Sequence, residues 1–102
     1  MDLQKLMKQA KEMQKELGKI EEELEAKIYE GSSGGSDGVI VKVNGKNEVQ
    51  EVTIPDELMD LENKEMLQDM VLIAVNEALT KANAEREEKM GSLAQGMNIP
   101  GM

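Results

Sequence analysis

The chain has 102 residues and a formal charge of −9, from 21 acidic and 12 basic residues, with nine methionines, Tyr29 as its one aromatic, and neither cysteine nor histidine. That composition excludes disulfides, thiolate and imidazole metal sites and cysteine nucleophiles, and removes the commonest general base. The longest aliphatic run, residues 71–75, falls far short of the roughly 20 residues a membrane helix needs.

A chain of this size reads as a single domain, 1–102, which as a monomer buries only about 60–65% of its unfolded surface. Without Phe or Trp, the core must be built from Leu, Ile, Val and flexible Met. A subunit interface is therefore expected to complete it. The opening residues lack a signal-peptide pattern, so a soluble, cytoplasmic protein is expected.

Segment 1–25 reads as a helix. Leu3, Leu6, Ala10, Met13, Leu17, Ile20 and Leu24 recur at alternating spacings of three and four, forming a heptad stripe. Such a stripe packs either within its own chain or as a two-stranded coil. Asp2 is placed to cap the helix, and Gly18 costs it about 1 kcal/mol relative to Ala.

Segment 26–54 reads as a three-stranded sheet. Residues 26–30 look like a short strand, and the glycine-rich stretch 31–38 like a flexible turn. Residues 39–43 form a β-branched strand. Asn44-Gly45 signals a hairpin, with 47–54 returning. Val49 and the pair Val52, Ile54 have opposite parity. Either a β-bulge lies near Gln50-Glu51 or the strand is buried on both faces. Pro55 ends the pairing.

Asn63 is a candidate cap for a last helix over 64–90, with Gly91 as its stop and 91–102 as a flexible tail. The middle of that helix is apolar on several sides and calls for cover on several sides. The order α-β-β-β-α gives an α+β class with an antiparallel sheet.

Charge is unevenly distributed. Residues 1–19 carry +2, whereas 20–30 carry −4 and 55–90 carry −6. On a helical wheel at about 100° per residue, Lys5, Lys8, Lys11, Lys15 and Lys19 fall in an arc of roughly 20–140°, nearly opposite the apolar stripe at roughly 200–300°. One reading is an ordinary solvated face, with Glu12 pairing to Lys8, Lys15 or Lys19 for a few tenths of a kcal/mol. The other is a ridge that contacts phosphates.

Catalytic and ligand signatures are missing from the pattern. The acidic group Asp56, Glu57, Asp60, Glu62 lacks calcium-loop spacing. The glycine stretch is followed by a strand and is not a phosphate-binding loop. No enzyme activity, cofactor, small-molecule substrate or membrane partner is expected. With one aromatic, nucleic-acid binding by base stacking is excluded, leaving duplex phosphates read by lysine.

Several stretches in order resemble the YbaB/EbfC family of bacterial nucleoid-associated proteins. They are LMKQAKEMQ at 6–14, Glu30-Gly31 with its glycine cluster, VKVNG at 41–45, EMLQDMVL at 65–72, Asn76-Glu77-Ala78 and GMNIPG at 96–101. The resemblance covers nearly the whole chain. It implies a tweezer-like homodimer that grips duplex DNA, with roles in nucleoid organisation and gene regulation. Its DNA contacts would come from the first helix, through Lys5, Lys8, Lys11, Lys15 and Lys19. The last helix would add Lys81, Arg86 and Lys89. The alternative is a scaffold that docks a protein partner through its helices.

Overall fold

A computed structural model describes residues 2–96. The first element is α1, Leu3–Ala26, capped as expected: Asp2 is extended and its carboxylate accepts from the Gln4 N–H at 3.1 Å. The helix ends where Lys27 turns extended (ψ 149°). Three strands follow, β1 (Ile28–Ser33), β2 (Val39–Asn44) and β3 (Val49–Thr53), in an antiparallel sheet of order β1-β2-β3. The last element is α2, Lys64–Gly96. This is the expected α+β class and element order.

The sheet differs from the expectation at its first strand. β1 begins at Ile28 and runs on through Gly31 to Ser33, because Gly31, Ser32 and Ser33 pair with Val41, Ile40 and Val39. Pairing to a strongly β-branched partner outweighs the low strand preference of Gly and Ser. Only the stretch from Gly34 turns, with Gly34 and Gly35 at φ 88° and 66°, where a side chain would be strained.

The bulge is present. Lys42 pairs with Glu51 and Val43 with Val49, so Gln50 is the extra residue. The β2–β3 hairpin is present too, but its left-handed residue is Asn47 (φ 64°), not Gly45. The Asn44 carboxamide holds this turn, accepting from the N–H groups of Lys46 and Glu48 at 2.9 and 3.1 Å. Gly45 is needed for another reason: a Cβ there would lie 1.8 Å from the Leu24 carbonyl oxygen at the end of α1.

The core is one layer between sheet and helix. Val39, Val41 and Val43 alternate along β2 and are fully buried, facing Ala74, Ala78 and Ala82 of α2 and joined by Tyr29. Alanines at every fourth position give α2 a flat face, and the backbone of β1 comes right against it. A Cβ on Gly31 would meet the Ala74 oxygen at 2.2 Å and the Ala78 nitrogen at 2.4 Å.

α2 starts at Lys64 as expected, but Asn63 does not cap it. The helical path begins one turn before Asn63, with the Asp60 carboxylate accepting from the Glu62 N–H at 3.1 Å. It also runs through Gly91 to Gly96 rather than stopping. A single glycine inside a long helix costs only about 1 kcal/mol, too little to end it. The part of the expected tail beyond residue 96 lies outside the described residues.

The molecule measures 70 × 25 × 18 Å, with a radius of gyration of 19.9 Å. A compact domain of this length would have about 13 Å. The excess comes from helices that leave the body. In α1 only Leu24 is buried, while Leu3 and Met7 are 71% and 57% exposed. The stripe is thus fully buried only at Leu24 and half-buried at Met13, Leu17 and Ile20, while its N-terminal part is exposed. Leu72 and Ile73 of α2 are more than half exposed as well.

Candidate nucleic-acid interface

Lys5, Lys8, Lys11, Lys15 and Lys19 are all exposed on α1. They stand on the part of the helix that projects from the body and span about 21 Å at 1.5 Å per residue. Among the described residues the ion pairs are Lys27–Glu85, Lys42–Glu51, Lys81–Glu77 and Arg86–Glu21. None involves these five lysines, so the pairings expected with Glu12 do not form. Chemically, the face is a row of ammonium groups able to donate to a polyanion.

The three cations expected from the last helix are placed differently from one another. The Lys81 ammonium donates to the Glu30 carbonyl at 2.8 Å and pairs with Glu77 at 3.4 Å. The Arg86 guanidinium is turned inward. It donates to Glu21 Oε1 at 2.5 Å and to the Gly45 carbonyl at 2.6 Å, with its side chain 29% exposed. Lys89 is exposed and takes part in none of the four ion pairs. The structure therefore groups the five α1 lysines on one face and engages Lys81 and Arg86 within the chain.

Beside Arg86 sits a second connection, in which Lys27 pairs with Glu85. The Lys27 ammonium, then Tyr29, hold the Glu85 carboxyl below its ordinary 4.5, against the opposing effect of burial. The Tyr29 hydroxyl is buried without a hydrogen bond of good geometry. Burial first, and Glu85 second, push its phenol up to about 12. These shifts set a pH dependence. Glu85 stabilises the fold fully above its unfolded value of 4.5, and that contribution is lost as pH falls through the lowered folded value. Tyr29 contributes fully below 10, and its contribution is lost as pH rises through about 12. Glu85→Gln should flatten the acid side of a plot of urea midpoint against pH. An acid limb as steep as that of wild type would remove Glu85 from this account.

Sequence reading missed both connections. Glu21 and Arg86 are 65 residues apart, Lys27 and Glu85 are 58 apart, and Gly45 and Arg86 are 41 apart. No local spacing marks such pairs.

Comparison with known proteins agrees with this architecture. The chain is 46% identical over 100 residues to a nucleoid-associated protein of Desulfotalea psychrophila, covering 98% of this chain and 93% of that one. It is 43% identical over 102 residues to a nucleoid-associated protein of Clostridium novyi, covering all of this chain and 89% of its relative. Its fold matches the crystal structure of an uncharacterized Helicobacter pylori protein with a TM-score of 0.79 at 30% identity, covering 92% of this chain and 98% of that one. The model of the YbaB/EbfC DNA-binding family matches residues 1–97. With nearly its full length matched, the chain belongs to the YbaB/EbfC DNA-binding family.

Proposed function

We propose that this protein binds duplex DNA as a homodimer, through phosphate contacts from Lys5, Lys8, Lys11, Lys15 and Lys19, and acts at the bacterial nucleoid in organising DNA and regulating genes. The observation that carries this reading is the row of five exposed lysines, none in an ion pair among the described residues, on an arm that projects from an otherwise acidic chain. Lys89 is an additional contact from α2. The dimer is supported by apolar side chains left uncovered in one copy, among them Leu3, Met7, Leu72 and Ile73. Isolated chains of this size rarely leave so much apolar surface in water.

Phosphate contacts impose no sequence information directly, so the binding has modest sequence preference. The net charge of −9 repels DNA at long range. Screening within about 8 Å at physiological salt confines that repulsion and lets the local lysines prevail.

A titration of duplex DNA across a salt series tests this. Two arms present ten lysines. If about half touch phosphates, the log–log slope of affinity against salt is roughly −4 to −5. A slope near zero, or no binding at 50–100 mM salt with a stoichiometric protein partner copurifying, favours the adaptor reading. Sedimentation addresses the dimer separately, and a stable monomer at micromolar concentration would contradict it.

A further inference from the structure

α1 is attached at one end. Of its 24 residues only Leu24 is buried, and the attachments to the body lie at its last turns. Gly45 presses against the Leu24 carbonyl, Lys27 just past the helix pairs with Glu85, and Arg86 reaches Glu21. Of these, the Arg86 contact is the one that ties three elements together. Its guanidinium is rooted on α2, holds a carboxylate of α1 at 2.5 Å and holds the carbonyl of Gly45 in the β2–β3 turn at 2.6 Å. A planar fork with fixed donors suits this task; a lysine ammonium does not reproduce its geometry.

The consequence is mechanical. Lys5 lies sixteen residues from Glu21, about 24 Å along the helix. A tilt of about 10° at the attached end therefore moves Lys5 by about 4 Å. Charge-assisted hydrogen bonds hold only near 2.7–2.9 Å, so such a tilt breaks contacts at the far end while leaving the helix intact.

We propose that Arg86 is a positioning residue for DNA binding: by clasping Glu21 and the Gly45 carbonyl it sets the angle at which the lysine arm leaves the body, without touching DNA itself. This rests on the DNA-binding reading above. It also separates Arg86 from the lysines with which the family resemblance groups it.

Glu21→Gln is the decisive variant, because electrostatics and the clasp predict opposite signs. Removing an acidic charge strengthens attraction to phosphate, whereas loosening the clasp misplaces the arm. The absence of cysteine lets Gln9→Cys and Glu57→Cys be introduced as a spin-label pair. Diluting with unlabelled protein then lets the distance within one copy be read. The clasp predicts that Glu21→Gln and Arg86→Gln each weaken duplex binding about fivefold to tenfold. It also predicts that the double variant is no worse than either single one, that Arg86→Lys fails to rescue, and that the distance distribution broadens in every case without DNA.

Tighter or unchanged binding by Glu21→Gln, with a wild-type distance distribution, would overturn the clasp. Arg86→Gln weakening binding alone, with the salt slope smaller by about 1–2, would make Arg86 a direct phosphate contact instead. A wild-type protein that fails to bind duplex overturns the functional reading and the affinity half of this proposal together. The distance measurement then still decides whether Arg86 holds the arm.

Discussion

Gly31→Ala is expected to lower the melting temperature by at least about 10 °C, measured by circular dichroism at fixed protein concentration. The added Cβ would sit 2.2 Å from the Ala74 oxygen and 2.4 Å from the Ala78 nitrogen. Both are backbone atoms of α2, so no side-chain rotation relieves the clash. The helix must lift from β1, and it carries with it the burial of Ala74, Ala78 and Ala82 against Val39, Val41 and Val43. Overpacking of a core costs about 1–3 kcal/mol when side chains can adjust. With backbone on both sides, about 3 kcal/mol is a floor, and each kcal/mol lowers the melting temperature of a domain of this size by about 4–8 °C. The control is Gly18→Ala. Nothing lies within 4 Å of a Cβ at that mid-helix position, so the same chemical change there should stabilise by about 0.5–1 kcal/mol. A Gly31→Ala protein that melts with wild type would show that α2 does not lie directly on β1.

The second large effect is on binding. Lys8→Glu combined with Lys15→Glu should weaken duplex affinity on the order of 100-fold at about 0.1 M salt. The proposed homodimer would lose four ammonium groups from its two arms and gain four carboxylates in their place. Exposed charge contacts contribute up to about 1 kcal/mol each, and 1.4 kcal/mol is tenfold in affinity. The loss should be similar for every duplex sequence, because phosphate contacts carry none of the discrimination. The salt slope should shrink with it, by about 0.9 for each contact removed. Lys8 and Lys15 are exposed and make no ion pair among the described residues, so circular dichroism should show the fold unchanged.

How far the sequence disclosed this structure depends on the range of the interaction. Features set within one helical turn or one strand were readable. The Asp2 cap, the separation of apolar stripe from lysine row on α1, and the bulge at Gln50 all follow from local periodicity or parity. Gly45 was readable as part of a hairpin, but for the wrong physical reason. The left-handed residue is Asn47, and what excludes a side chain at Gly45 is the end of α1. Four glycines in residues 31–38 point to a turn that begins at Gly31. Gly31 instead lies inside β1 because α2 needs to approach there, a demand made by residues more than forty positions away. Gly91 was read as a stop, yet nothing local forces the chain out of the helix.

The candidate site divides along the same line. Spacing singles out the α1 lysines but leaves a solvated face and a phosphate ridge both open, and the family resemblance favours the ridge. Lys81 and Arg86 came from the family resemblance, and no spacing reveals that Arg86 faces Glu21 and Gly45 rather than outward.

In the proposed mode of binding, the position of positive charge, not its total, governs affinity. This is tested most directly by comparing two variants of equal charge change in duplex titrations at one salt concentration. One carries Lys8→Glu and Lys15→Glu on the arm. The other carries Lys42→Glu on β2 and Lys46→Glu on the β2–β3 turn. A loss on the order of 100-fold is expected for the arm variant and less than about fivefold for the other, since distant charges are screened beyond roughly 10 Å at 0.1 M salt. Equal losses in the two variants would contradict the proposed mode of binding.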